Sequence, residues 1–483
     1  MAGTSQLFDV PWSGTLSYLH AALGATGYLT LAATSIVAVA AYKIIYALHL
    51  SPLRSAPGPF LARLTSRCAE LFGVLGVQAS KGCEEYEKYG DMYVYHPCSV
   101  SISNPADIRV VFGSHAFRKS YFYKGLMDPQ LATMKRRQIG PYFSHSYLAR
   151  MEPSVVEHGI LAIKDRWDKL IDASTDSQAE TSCHKDFLYA SFDIIGVLAF
   201  GRDFGALKND DPIVEKWLSS TSLYFGLQTL FPLLSAFPFS LLIWPYRRVY
   251  RKLLEHSAQS VAMRRDLLAV HAEALLMLIA GSKTYSNTLM WTIHLLMLYP
   301  EHYRQAVDEV RSLFDKNHLV TFNEARTQLP YFEACIYESI RIIPWPRIVP
   351  EDGVTLSGHF LPAGTEVNVN GTGANYNARY WKEPHLFDPE RFINSEEAKR
   401  NVFTFSAGMR ICPGKHLAWI EVLTIMANIL KDYDIALPAS YTLCGPNALG
   451  KSGYPKLMDS SQYIETTAAN AARDCRLVIS KCN

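Results

Sequence analysis

No lysine or arginine precedes Lys43, and no charged residue of either sign lies between Val10 and Tyr42. A secretory signal peptide opens on positive charge and has a short apolar region, so the first absence argues against one. The second leaves "AALGATGYLTLAATSIVAVAAY" (Ala21–Tyr42) uncharged over a length that can cross a bilayer, which takes about 20 apolar residues. The nine cysteines are odd in number, widely spaced and contain no Cys-x-x-Cys pair, which argues against a disulfide framework and a zinc ribbon and favours a reducing compartment. Lys and Arg total 47 against 45 Asp and Glu, a net charge of +2 with no long basic run, so a nucleic-acid partner has no support. There are no internal repeats or low-complexity tracts. "GTGAN" (Gly371–Asn375) does not complete a dinucleotide fingerprint, and nothing else suggests a flavin or nicotinamide site.

What is present begins with the charges after the apolar run. Lys43, Arg54, Arg63 and Arg67 follow it, which by the positive-inside rule places the body in the cytosol and the N-terminus in the lumen. "SPLRSAPGPF" (Ser51–Phe60) carries three prolines, cannot continue a helix and reads as a stiff hinge. The one glycosylation sequon, Asn370-Gly371-Thr372, would sit on the cytosolic side and is read as chance. With 49% apolar residues the body can bury a large core. From about Asp107 to Leu430 apolar residues recur three and four apart, the helical period. His271–Tyr299 is the longest such stretch and apolar on nearly all sides, as expected of a helix through the centre of a large protein. Strand-like alternation is confined to Asp91–Asn104, a hairpin pattern, and Gly364–Gly371.

The stretch "FTFSAGMRICPGKHLAW" (Phe403–Trp419) contains Phe-x-x-Gly-x-Arg-x-Cys-x-Gly. A thiolate that serves as a metal ligand needs protection and electrostatic support. Gly408 permits a bend that a side chain would block, Phe405 is placed to cover the sulfur, Arg410 can pair with an anionic group, and Gly414 lets the chain pass close to a flat partner. After Pro413 the pattern turns helical, so Cys412 is predicted at a helix N-terminus, where free N–H groups favour a negative sulfur.

On this pattern the sequence resembles the cytochromes P450, the haem-thiolate monooxygenases. The resemblance makes Cys412 the axial ligand of haem iron, an electron-rich donor that favours O–O cleavage. It extends over most of the chain: Ser51–Thr65, Ser103–Gly125, Phe192–Gly205 and Arg473–Ser480 look like fungal microsomal members related to benzoate hydroxylases and secondary-metabolite tailoring enzymes. Glu338 and Arg341 in "YESIR" and Arg391 in "FDPERF" match the family's buried three-membered network, which locks the haem-side core. For the haem propionates the resemblance offers Arg410, Arg136 in "KRRQIGPYFS" and Arg347 in "WPRIVP"; Ala132 stands where the family often has Trp or His. "AGSKT" matches Ala-Gly-x-x-Thr, so Ala280 and Gly281 would make room for O2 and the Thr284 hydroxyl would assist proton delivery. The family's usual acidic residue before this threonine is here Lys283, whose charged form has no acceptor lone pair. The segments between Arg265 and the central helix, and between Arg341 and Arg347, are short for the family.

The expectation is a mainly α fold with a smaller β region, the cytochrome P450 fold, preceded by one transmembrane helix. Its parts would be a lumenal N-terminus (1–20), an anchor (21–42), a basic and proline-rich hinge (43–60) and a catalytic domain (61–483). The implied activity inserts one atom of O2 into an apolar small molecule, with haem b bound and NADPH electrons arriving through a separate cytochrome P450 reductase, with cytochrome b5 as a second donor. The implied location is the endoplasmic reticulum membrane. An O2-independent haem-thiolate isomerase or dehydratase, and a catalytically silent haem-binding membrane protein, are the alternatives that Lys283 leaves open.

Overall fold

The computed structural model describes residues 12–114, 117, 140–230, 234, 236–262, 271–341, 347–348, 353–408, 411–462 and 466–482. The helices that frame the site are α1 (Trp12–Ile45), α2 (Pro105–Gly113), α3 (Ala162–Asp172), α4 (Cys183–Ile195), α5 (Ile213–Leu230), α6 (His271–Leu298), α7 (Pro300–Leu313), α8 (Pro330–Ile340) and α9 (Lys415–Asp432). The strands are β1 (Met92–His96), β2 (Ser99–Ile102), β3 (Gln178–Ser182), β4 (Arg347–Ile348), β5 (Val354–Leu356), β6 (His359–Leu361), β7 (Glu366–Val369), β8 (Tyr433–Ala436), β9 (Ser460–Gln462), β10 (Thr466–Ala468) and β11 (Arg476–Lys481). Helix dominates and the sheets are small, as the sequence periods predict.

α1 does not stop at Tyr42. It continues to Ile45 and through one wider turn, Tyr46–Leu50. Lys43 and the Ile, Ala and Leu residues around it are compatible with helix. The helix ends only at Ser51, whose extended backbone (φ −61°, ψ 135°) is what a following proline demands. Gly27–Leu50 is 24 residues with a mean hydropathy of 1.8, long and apolar enough to cross a membrane. Its apolar side chains are exposed, Leu29, Ile36 and Val37 among them. The proline-rich stretch expected as a hinge is docked on the body. Leu53 and Ala56 are buried in a core with β1, β2 and β7, and Val94 donates its N–H to the Pro57 carbonyl at 2.7 Å. Prolines lack donors but keep their carbonyls, so such a segment can still be stitched to a neighbour.

β1, β2, β7 and β4 form one mixed sheet in that order. β1 is antiparallel to β2, β2 parallel to β7, and β7 antiparallel to β4. Val94, Val100 and Val367 follow one another across the strands and are buried against Ile108 and Phe112 of α2. β3, β11 and β8 form a second, antiparallel sheet; β9 with β10 and β5 with β6 are two-stranded pairs. Asn370, the sequon residue, is buried: its side chain accepts from Gly373 N–H at 2.8 Å and donates to the Gly82 carbonyl at 2.7 Å. It is a structural cap.

The main core gathers α3, α4, α6 and α9. α4 is buried on all sides, and so are the flanks of α6 at Leu278, Leu289, Met290 and Ile293. A helix apolar all round has no other stable place. α4 and α6 approach so closely at Gly281 that a Cβ there would lie 2.5 Å from Ile195 Cδ1. Asp186 of α4 is buried and accepts from Arg166 Nε (2.8 Å), Trp167 Nε1 (2.8 Å) and Thr181 Oγ1 (2.5 Å), tying α3 and β3 to α4.

Glu421 of α9 is 1% exposed, and neither carboxylate oxygen has a hydrogen-bond partner among the described residues. Burial pushes its pKa well above the usual carboxylate range, which favours the neutral acid. The folded pKa is therefore above the unfolded one. Its stabilising share is complete below the unfolded value and is lost as pH rises through the folded value. Glu421→Gln, which cannot ionise, is expected to flatten the decline of the thermal midpoint as pH rises above the ordinary carboxylate range. Unfolding curves of both proteins over a pH series rising from that range check this, and parallel declines would contradict it.

Candidate functional site

Cys412 lies two residues before Gly414, the N-cap of α9, and its carbonyl accepts the Lys415 N–H at 3.3 Å. The cysteine is exposed, unlike Cys183, Cys335, Cys444 and Cys475, which are buried. Its N–H donates to the Phe405 carbonyl at 2.8 Å, and Ile411 N–H donates to Gly408 at 3.1 Å, so the segment folds back on itself as a compact loop. Gly408 has φ +63°, and a Cβ there would meet the Phe112 carbonyl oxygen at 2.5 Å. Both facts demand glycine. A Cβ on Gly414 would sit 3.8 Å from Cys412 Sγ, an ordinary van der Waals contact, so the two residues are close neighbours. Phe405 is half-buried, with the Lys415 ammonium 5.9 Å from its ring centroid, a cation–π contact that the sequence reading missed.

α6 has one open stripe. Ala280 and Thr284 are exposed, whereas Ser282, Lys283, Tyr285 and Ser286 are buried. The Thr284 hydroxyl donates to the Ala280 carbonyl at 2.7 Å, and that of Thr288 to the Thr284 carbonyl at 3.1 Å. Gly281 has its packing reason on the other side, against Ile195 of α4. Lys283 does not reach the surface; it is 7% exposed, and its charge acts on His184 at the start of α4.

Glu338, Arg341 and Arg391 are brought together. Arg341 donates Nε to Glu338 Oε2 at 2.8 Å and Nη2 to Oε1 at 3.0 Å, while Arg391 Nε reaches Oε1 at 3.3 Å. The Asp388 N–H adds a fourth bond to that carboxylate at 3.2 Å. The remaining guanidinium donors go to the carbonyls of Asn375, Pro384, Lys382, Glu383 and Leu386. Arg341 is 2% exposed and lies 5.5 and 5.4 Å from the rings of Tyr376 and Trp381. Burial alone would lower its pKa, but the Glu338 carboxylate outweighs that and raises it. The cysteine loop is fastened to the same helix: Thr404 Oγ1 donates to Ile340 O of α8, and Tyr337 of α8 packs on Trp419 of α9 with ring centroids 4.6 Å apart.

Arg136 and Arg410 lie outside the described residues, as does Ala132. Arg347 begins β4, where it pairs with Val367 of β7; its backbone is described and its side chain is not. The two short segments, within 263–270 and at 342–346, also fall outside the description.

Glu338→Ala would leave two guanidinium groups in the interior without their carboxylate. Breaking a buried pair in this way costs about 3–5 kcal/mol. We expect a fall in folded yield and thermal midpoint, with Arg391→Lys milder because it keeps the charge while losing the planar fork. Equal midpoints for wild type and Glu338→Ala would remove the network from the structural core.

A family model described as Cytochrome P450 matches residues 253–444. The chain is 40% identical to the Aspergillus fumigatus cytochrome P450 monooxygenase helB1 over 505 aligned positions, covering 95% of this chain and 87% of that protein. It is 38% identical to helB2 of the same fungus, over 91% of this chain and 96% of the relative, and 36% identical to helB3, over 91% and 95%. Identity of that degree along nearly the whole length places the chain in the cytochrome P450 family, the haem-thiolate monooxygenases.

Proposed function

We propose that this monooxygenase oxidises a small apolar organic molecule in fungal secondary metabolism or aromatic oxidation. Its haem b is held by Cys412, and its electrons come from NADPH through a separate reductase, with cytochrome b5 as a second donor. The observation that carries the reading is the cysteine loop: an exposed thiol at a helix start, its N–H satisfied by Phe405, with a glycine at 408 where a Cβ would collide and one at 414 beside the sulfur. These residues fit a flat macrocycle with a thiolate ligand. Arg410, Arg136 and Arg347 are the proposed propionate partners. When bound, haem supplies the iron chemistry that activates O2.

The chain's own residues do the rest. Cys412 is held by its N–H bond and by the α9 N-terminus, whose dipole favours the thiolate. Ala280 keeps the open stripe of α6 free of bulk, and Thr284 presents a hydroxyl able to hold and pass a proton at Oγ1. Glu338, Arg341 and Arg391 hold the underlying frame. The apolar helix supports a single-pass anchor in the endoplasmic reticulum membrane, with the body facing the cytosol.

Reduced protein with carbon monoxide is expected to give the red-shifted Soret band of thiolate ligation, and Cys412→Ser to abolish it. A mutant that retains the band would mean that Cys412 is not the ligand. Thr284→Ala is expected to keep the band, slow product formation by about a hundredfold and divert electrons into hydrogen peroxide. Unchanged product per NADPH in that variant would take proton delivery away from Thr284.

A further inference from the structure

Sulfur gathers at one place in the main core. Cys183 opens α4, Cys475 immediately precedes β11, Met290 lies on α6 and Met458 stands two residues before β9. All four are buried, none more than 3% exposed. Cys475 is the hub. Its Sγ donates to Met290 Sδ at 3.3 Å and lies 4.0 Å from Met458 Sδ. The Cys183 thiol in turn hydrogen-bonds to Cys475.

The backbone fixes this meeting. β3 and β11 are antiparallel with Ser182 opposite Arg476, so the next step sets Cys183 beside Cys475, and its N–H donates to the Cys475 carbonyl at 2.9 Å. Met458 is held by its own N–H, which donates to His294 Nε2 at 3.1 Å, and His294 stands one turn beyond Met290 on α6. Burial lowers the His294 pKa from 6.5 to about 4, so the ring is neutral and keeps that acceptor. Packing alone accounts for a single Cys or Met in a core. It does not call for two thioethers on one thiol, since a thiol is a weak donor and a thioether a weak acceptor. Sulfurs held about 2.3 Å from one metal at trigonal angles stand about 4 Å apart. The hub contacts are 3.3 and 4.0 Å, and a methionine side chain is flexible enough to close the difference.

We propose that Cys475, Met290 and Met458 form a binding site for a soft monovalent cation, copper(I), with Cys183 as the hydrogen-bond donor that steadies the Cys475 sulfur. The site goes beyond the oxygenase reading and does not depend on it. Thioethers beside a thiolate suit copper(I), whereas hard cations prefer oxygen. Charge decides against a dication. On binding, the Cys475 S–H bond breaks, its proton leaves to solvent and a sulfur lone pair forms the bond to copper. One thiolate and one monovalent cation make a neutral unit, which an apolar interior tolerates; a dication would need a second thiolate. Cys183 resists becoming one, because its hydrogen bond to Cys475 and its burial push its thiol well above the usual pKa. It therefore stays protonated and donates to the new thiolate, as groups around a metal ligand commonly do. The bound cation joins α6, the start of β11 and the stretch before β9 at one point, and stabilises the folded chain by mass action.

The test titrates the full-length protein, with its haem, anaerobically with copper(I) as the acetonitrile complex. Bicinchoninate is present to strip loosely held copper. Wild type is expected to keep about one copper per chain after desalting. Copper X-ray absorption is expected to show sulfur neighbours at about 2.3 Å. Met290→Leu combined with Met458→Leu keeps every thiol and nearly conserves volume, so it isolates the thioethers. Its copper affinity is expected to fall about tenfold or more. Cys475→Ala is expected to lose the cation, and Cys98→Ser, which removes an exposed thiol, to keep it. Copper is expected to raise the thermal midpoint of wild type but not that of the double variant. Surrender of all copper by wild type, equal affinity in wild type and the double variant, or loss of copper in Cys98→Ser overturns the site. If Cys475→Ala fails to fold, the double variant decides alone.

Discussion

The Glu338 carboxylate is the point on which the packing around the cysteine loop depends. It is fully buried and receives donors from Arg341, Arg391 and the backbone of Asp388. The two guanidinium groups then spend their remaining donors on carbonyls of the Asn375–Leu386 stretch, a segment with little regular structure of its own. Irregular chain in an interior needs its carbonyls satisfied from outside. One acidic side chain thus organises two cations, and through them a coil. Because α8 also holds the cysteine loop by Thr404 and α9 by Tyr337, an error at Glu338 would be transmitted to Cys412 through packing.

The cysteine loop and the central helix are fixed in different ways. The loop is fixed by backbone constraints: a positive φ at Gly408, a carbonyl of α2 pressed against it, and the Cys412 N–H turned inward. The central helix is fixed by close packing on α4 at Gly281, which leaves its opposite stripe at Ala280 and Thr284 open.

Much of this was legible in the chain because the signals are local. The spacing around Cys412, the i, i+3 pair Glu338–Arg341 and the long apolar stretch of α6 each sit within one stretch of sequence. What could not be read depends on partners far along the chain. Gly408 is required by Phe112 and Gly281 by Ile195; no local pattern announces those neighbours. The docking of the proline-rich stretch was hidden for the same reason. Its composition says only that it is not helical or flexible, whereas the burial of Leu53 and Ala56 is decided by β1, β2 and β7. The sequon is similar, since the cap that buries Asn370 closes on Gly373 but is packed by Gly82.

The docked stretch changes what the apolar helix is to the body. Ala47 is already buried, Arg54 donates to the His49 carbonyl at 2.6 Å, and Leu53 and Ala56 follow immediately in the core. No slack chain separates helix from body. A protein tethered by a loose leash samples every orientation above a bilayer, whereas one joined by a clamped rod keeps the heading of the rod. Lengthening Ser51–Pro57 with flexible residues would convert one into the other, and the angle between the apolar helix and the body would then cease to be a property of the fold.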